Sequence, residues 1–121
     1  MREIKFRCYD TKNNIMRYQD NSQFVFGKDY RECNYENGWN TENNGIFMQY
    51  VGIKDKNGVE IYENDIVFVT SFKRNLQVIY RQDICAFQLY EDFENRINYF
   101  TIDQSEMEVI GHIYQNPELI S

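Results

Sequence analysis

The sequence predicts a mainly β protein, with an N-terminal β-hairpin subdomain followed by a strongly bent antiparallel sheet. Three observations predict it. Ile and Val together number 20, Leu and Ala only 4, and aromatics add another 20. β-branched and aromatic side chains suit a pleated, half-buried surface and lose χ1 freedom in a helix. Short runs with period-two alternation recur along the chain, and Asn- and Gly-containing turn signals separate them. Periodicity carries the most weight. Phe, Tyr, Met, Ile, Asn and Lys total 56 residues against 15 for Gly, Ala, Arg and Pro, so part of the compositional bias matches A/T-rich codons.

Ile4, Phe6 and Cys8 alternate with Lys5, Arg7 and Tyr9, which predicts an edge or outer strand with one core face. Residues 10–14 are turn chemistry, and residues 15–18 return as a second strand. Residues 23–26 form a weaker strand candidate. Residues 34–45 contain five Asn and two Gly and read as an exposed loop. Strands are expected at 46–53, 60–62, 66–72, 76–81, 84–90, 97–102 and 107–114. The organisation read from this is a hairpin and Asn-rich loop subdomain at 1–45 and a strongly bent sheet with a C-terminal tail at 46–121, forming one compact unit.

The turn at 55–58 resolves to a register. A two-residue Asn57-Gly58 loop sets Asp55 opposite Glu60, two carboxylates face to face. A three-residue loop, Lys56-Asn57-Gly58, ends in a left-handed glycine. It pairs Asp55 with Val59, Lys54 with Glu60 and Ile53 with Ile61, and this register is the one expected. Glu63-Asn64-Asp65 is a second tight turn, with Asn64 the residue best able to adopt positive φ without being glycine. Gly58, Asn64 and Asp65 are therefore read as structural turn residues.

The segment Tyr50-Val51-Gly52-Ile53-Lys54-Asp55-Lys56-Asn57-Gly58, followed by Glu60-Ile61-Tyr62-Glu63-Asn64-Asp65-Ile66-Val67, resembles the signature of the YopX-like proteins of bacteriophages and prophages. The opening Met1-Arg2-Glu3-Ile4-Lys5-Phe6-Arg7 with Asp10 is similar to that family's start. The segment from Glu108 through Gly111-His112-Ile113-Tyr114 to Asn116-Pro117-Glu118-Leu119 is similar to its close. Tyr9 replaces the family's usual Trp, Asn64 its usual Gly, and His112 its common Asn. The resemblance implies a C-terminal SH3-like small barrel, a phage or prophage origin, and no assigned activity. The A/T-rich residue usage fits a phage of a low-GC host.

Charge and motifs narrow the function. Residues 1–18 carry five basic and two acidic side chains, net +3, and the remainder is net −9, giving −6 for the chain. An acidic body does not attract phosphate backbones, so nucleic-acid binding is disfavoured but stays open. No run approaches the ~20 apolar residues of a membrane span and the start lacks a signal peptide's apolar segment, so a cytoplasmic protein with no membrane partner is expected. Cys8, Cys33 and Cys85 form no CxxC pair, so no zinc site is expected, and all three are read as reduced thiols. Cys8 and Cys85 fall in strand patterns that predict a core position. GxSxG, GxGxxG and P-loop patterns are absent, and the single histidine, His112, shares strand parity with Glu106, Glu108, Ile110 and Tyr114. The carboxylate pairs Glu63/Asp65 and Glu106/Glu108 and the Glu91-Asp92/Glu94 cluster have no partner pattern for acid–base or Mg²⁺ chemistry. The chain is expected to be no enzyme and to use no cofactor.

Binding is the better reading. Lys5, Arg7 and Tyr9 offer a basic face with an aromatic. Trp39, the only Trp, is the residue type enriched at interface hot spots. The tail at 116–120 begins like a helix, with Asn116 as N-cap and Pro117 at N1, and leaves Leu119 and Ile120 needing cover. These observations support an accessory protein that binds a protein of unknown identity or forms a homo-oligomer. The alternatives are a nucleic-acid-binding small barrel using Lys5, Arg7, Tyr9 and Lys73-Arg74, and an acidic inhibitor competing with nucleic acid for a host protein.

Overall fold

A computed structural model describes the backbone of residues 4–18, 24–26, 33–35, 38–40, 45–93 and 96–120, and the side chains of 4–18, 45–92 and 96–120. The described chain is mainly β, with twelve strands and no α-helix among the described residues. It divides into two compact units, Met1–Tyr50 and Val51–Ser121. The division falls inside a long strand, whereas the sequence places it between residues 45 and 46.

In the first unit, β1 (Phe6–Asp10) pairs antiparallel with β2 (Ile15–Tyr18) and with the start of β6 (Gly45–Lys54). The turn between β1 and β2 is built by Asp10. Its Oδ1 accepts the backbone N–H of Lys12 (3.0 Å) and Asn13 (3.2 Å), and Asn14 closes the turn at φ 57. This is the Asx-turn chemistry that Asp and Asn favour. The expectation of an edge or outer strand is corrected, because β1 has a strand on each side. Its burial corrects a second expectation: Arg7 and Tyr9 are 2% and 4% exposed, as buried as Cys8. The short strands β3 (Phe24–Phe26), β4 (Cys33–Tyr35) and β5 (Gly38–Asn40) form a three-stranded sheet. Residues 34–45 are therefore not one loop. Cys33 pairs with Asn40 and Tyr35 with Gly38, so a hairpin runs through the Asn-rich stretch in spite of its low strand propensity.

In the second unit, the end of β6 leads through the 56–58 turn into β7 (Glu60–Tyr62). Asp55 N–H donates to Val59 O (2.7 Å), Gly58 N–H donates to Asp55 O (3.1 Å), and Gly58 has φ 82. This is the three-residue loop expected, with glycine at the left-handed position. Asn64 has φ 70, as expected, and satisfies all its polar groups. Its N–H donates to Val78 O and its carbonyl accepts from Ile113. Its amide nitrogen donates to Tyr114 Oη (3.2 Å), and its Oδ1 accepts from Gln77 Nε2 (3.2 Å). Asp65 is buried and accepts the Tyr62 N–H at 2.8 Å, which locks the same turn.

Five strands follow as one antiparallel sheet: β8 (Asp65–Val69), β9 (Arg74–Arg81), β10 (Ala86–Phe93), β11 (Arg96–Phe100) and β12 (Met107–His112), in the spatial order β11-β10-β9-β8-β12. A four-strand meander, a 3₁₀ turn at Gln104–Glu106, and a last strand returning beside the first are compatible with an SH3-like barrel. One face carries the core, where Val51, Ile61, Val67, Val69, Leu76, Val78, Leu89 and Met107 pack together. Strand ends differ from expectation where apolar residues enter turns. Phe72 lies in the turn after β8, and Ile84 and Cys85 lie in the turn before β10, where Cys85 has φ 53 and is exposed. The core position expected for Cys85 is corrected: ladder pairing starts only at Ala86 with Arg81. In β12 a bulge between Val109 and Gly111 shifts the register, so His112 is buried while Ile110 is exposed. Asn116 does not cap an α-helix. It accepts the His112 N–H through Oδ1 (3.3 Å), and Pro117–Ile120 forms a 3₁₀ turn. Gly111 allows this: a Cβ there meets Asn116 Oδ1 at 2.5 Å.

Candidate functional site

The face of the five-stranded sheet opposite the core is the most distinctive surface of the second unit. Registers Phe68↔Asn75, Gln77↔Tyr90 and Tyr90↔Tyr99 align these residues on that face. The C-terminal 3₁₀ turn lies against it, with Asn75 Nδ2 donating to Leu119 O at 2.9 Å. Between face and turn is a groove of about 540 Å³, lined by Phe68, Lys73, Arg74, Asn75, Gln77, Tyr90, Glu91, Asp92, Leu119 and Ile120. Beyond it the rings of Tyr90 and Tyr99 stand 5.8 Å apart, and the Arg81 guanidinium lies 4.0 Å above the Tyr99 ring.

Two arginines in and beside this groove are already paired, while Lys73 and Asp92 also line it. Arg74 makes a two-pronged bond to the buried Glu91, Nε to Oε2 and Nη2 to Oε1, both 2.8 Å. The Glu91 hydrogen bond drives the Arg74 pKa further up, against the opposing effect of burial. Glu91 also accepts from the Asn98 amide (3.4 Å), and Arg74 stacks 5.6 Å from the Phe72 ring. Arg81 is bonded to Asp83 and Gln88, and its hydrogen bond holds the Asp83 carboxyl below the usual range. The surface therefore presents aromatic and aliphatic groups beside two neutralised arginines and the polar side chains of Lys73, Asn75, Gln77 and Asp92.

A second feature is the carboxylate of Asp55. It is buried, and it accepts the N–H groups of Asn57 (2.8 Å), Val59 (2.9 Å) and Val109 (2.8 Å). Burial pushes its pKa up. The bonds from Val109, Val59 and Asn57, with the Lys56 charge, outweigh this and hold the carboxyl below its ordinary value. Its role is to tie the 55–59 turn to β12.

The residues singled out from sequence are dispersed. Lys5, Arg7 and Tyr9 belong to the first unit and form no exposed basic face. Lys5 Nζ lies 5.1 Å over the Tyr50 ring, Arg7 Nη2 contacts Met48 Sδ at 3.7 Å, and Tyr9 Oη donates to Asn14 (3.2 Å). Trp39 is placed in β5 opposite Asn34, and its side chain lies outside the described residues, as does that of Cys33. Leu119 and Ile120 do meet, in the groove, beside Lys73 and Arg74. Sequence reasoning missed Phe68, Tyr90 and Tyr99. Their signal was parity within each strand, which becomes a shared face only once the strand order is known. Among the described residues no group of three His, Cys, Asp or Glu side chains is placed to hold a metal ion. No helix among them is long and apolar enough to cross a membrane.

Comparison with known proteins adds a family and a fold. The family model described as YopX protein matches residues 5–121. No curated protein matches the chain. Among solved structures, the chain is similar to protein EF1440 from Enterococcus faecalis, with a TM-score of 0.62 and 22% identity over 100% of both chains. It is also similar to yopX from Bacillus subtilis, with a TM-score of 0.59 and 22% identity over 97% of this chain and 98% of that one. At such identity the likeness speaks for the fold alone.

Proposed function

The chain belongs to the YopX family, and from that premise we propose that it acts as a non-enzymatic protein-binding module. One observation carries this reading: the outer sheet face, where Phe68, Tyr90 and Tyr99 flank a groove closed by Leu119 and Ile120. Aromatic residues and Arg are the types enriched in protein interfaces, which mix such groups with polar ones. Because Arg74 and Arg81 are neutralised by Glu91 and Asp83, the face suits a protein surface better than a polyphosphate. The net charge of −6 favours the same choice. The phage or prophage origin implied by the family resemblance, and the cytoplasmic setting expected from the sequence, fit an accessory protein of this kind.

The test compares the wild-type chain with Tyr90→Ser, which alters the face and leaves the core intact. Wild-type protein immobilised and exposed to a bacterial lysate is expected to retain a protein that Tyr90→Ser does not. A salt-sensitive mobility shift with DNA or RNA, weakened by the same variant, overturns this reading in favour of a nucleic-acid-binding barrel.

A further inference from the structure

The two margins of the five-stranded sheet are finished differently. On β12 the outward main chain is used within the unit: Lys56 N–H donates to Met107 O (3.1 Å), and Val109 N–H donates to the Asp55 carboxylate (2.8 Å). On β11 the sheet ends, with no further strand beside it among the described residues. Which of its groups are free follows from the register. The Thr70 N–H bonds to Glu106 O, so Phe68 faces β12 and Val67 and Val69 face β9; the same alternation carried through the registers turns Gln77 to β10 and Leu89 and Glu91 to β11. Arg96, Asn98 and Phe100 therefore bond to β10. The N–H and C=O of Ile97 and Tyr99 point outward. These same two residues carry exposed side chains, Ile97 at 59% and Tyr99 at 42%. Free main-chain groups and unburied apolar side chains coincide on two residues. Edge strands ordinarily avoid this with prolines, inward charges or bulges.

We infer that β11 is a pairing edge for a second copy of this chain, joined antiparallel about Asn98. The inference goes beyond the protein-binding reading above: it concerns the sheet edge and a second copy of the chain, not the outer face and its partner. This register is the one in which all five residues of β11 are used. It sets Ile97 against Tyr99 of the second copy and Tyr99 against its Ile97, two apolar–aromatic pairs on one face. On the other face Arg96 lies opposite Phe100 of the second copy, and the two Asn98 residues meet on the axis. No like charges face each other. Ile97 and Tyr99 both present outward main-chain groups, so the two pairs form four inter-chain hydrogen bonds. The two-fold makes the contact self-complementary and closed. Five residues bury less than the ~1,200 Å² at the lower end of stable interfaces, so the dimer is weak and concentration-dependent.

The experiment is light scattering across a dilution series reaching several hundred micromolar, on the full chain and two variants. Ile97→Pro removes one outward N–H without breaking a bond to β10. Ile97→Lys places like charges near the axis. The wild type is expected to approach twice the 14.7 kDa chain mass at the highest concentration and to fall towards it on dilution. Both variants are expected to stay at the chain mass, with unchanged far-ultraviolet circular dichroism. Tyr90→Ser is expected to dimerise as the wild type does. A wild-type chain that remains single throughout overturns the inference, and so does any assembly that persists in both variants. Neither result touches the lysate test of the outer face, which stands or falls on Tyr90.

Discussion

The β12 and β11 margins belong to one sheet and share one core, yet among the described residues only β12 is covered. β12 is sealed by a turn whose aspartate reaches across to a main-chain N–H, while β11 carries Ile97 and Tyr99 to solvent. The difference teaches that closing a sheet edge does not require another full strand. At β12 one buried carboxylate takes the Val109 N–H, and the Lys56 N–H of the same turn satisfies the Met107 carbonyl. Where no such residue stands, as at β11, the ladder is available.

The largest perturbation strikes both margins together. Leu76 is fully buried in the core face of β9, and Leu76→Ala is expected to cost about 2–5 kcal/mol by cavity formation. Urea denaturation monitors this, and protection should fall at β11 and β12 alike. Asp55→Asn separates them. It replaces one accepting oxygen by a donor that faces N–H groups, so an N–H of Val109 or of the turn loses its partner. The expected cost is about 1–3 kcal/mol, with hydrogen exchange rising at residues 55–59 and 107–109 but not in β11.

The same residue sets a pH dependence. The folded-state pKa of Asp55 is lowered, so its contribution is present above its unfolded value and is lost as pH falls through the folded one. Urea midpoints measured from neutral to strongly acidic pH should therefore decline more steeply below the usual carboxylate range for the wild type than for Asp55→Asn. Gly58→Ala is smaller still. Gly58 has φ 82 with open space around its Cα, so only backbone strain is added, about 1 kcal/mol. Smallest is Ile97→Lys, expected to shift chain stability by no more than about 0.5 kcal/mol while removing self-association.

The turn closing the β12 side was legible in the sequence because its determinants are local. Placing a carboxylate pair opposite each other was unfavourable at Asp55 and Glu60, which selected the three-residue loop, and Asn64 was the natural non-glycine residue for φ 70. What lay beyond reading was non-local. Arg7 and Tyr9 have the alternation of an outer strand, and only the strands flanking β1 on both sides make that strand interior. Cys85 sits in an apolar pair that looks like strand, but pairing begins one residue later. The groove joins β8, β9, β10 and the tail, segments far apart in sequence, and Tyr90 and Tyr99 become neighbours only through their register. The openness of β11 is a property of strand order, which no single segment encodes.

Residue-resolved amide hydrogen exchange at two protein concentrations tests the contrast between the margins most directly. The account predicts strong, concentration-independent protection at Val109, and protection at Ile97 and Tyr99 that appears only in the concentrated sample. Equal protection of Ile97 and Tyr99 at both concentrations, or rapid exchange at Val109 at neutral pH, contradicts it.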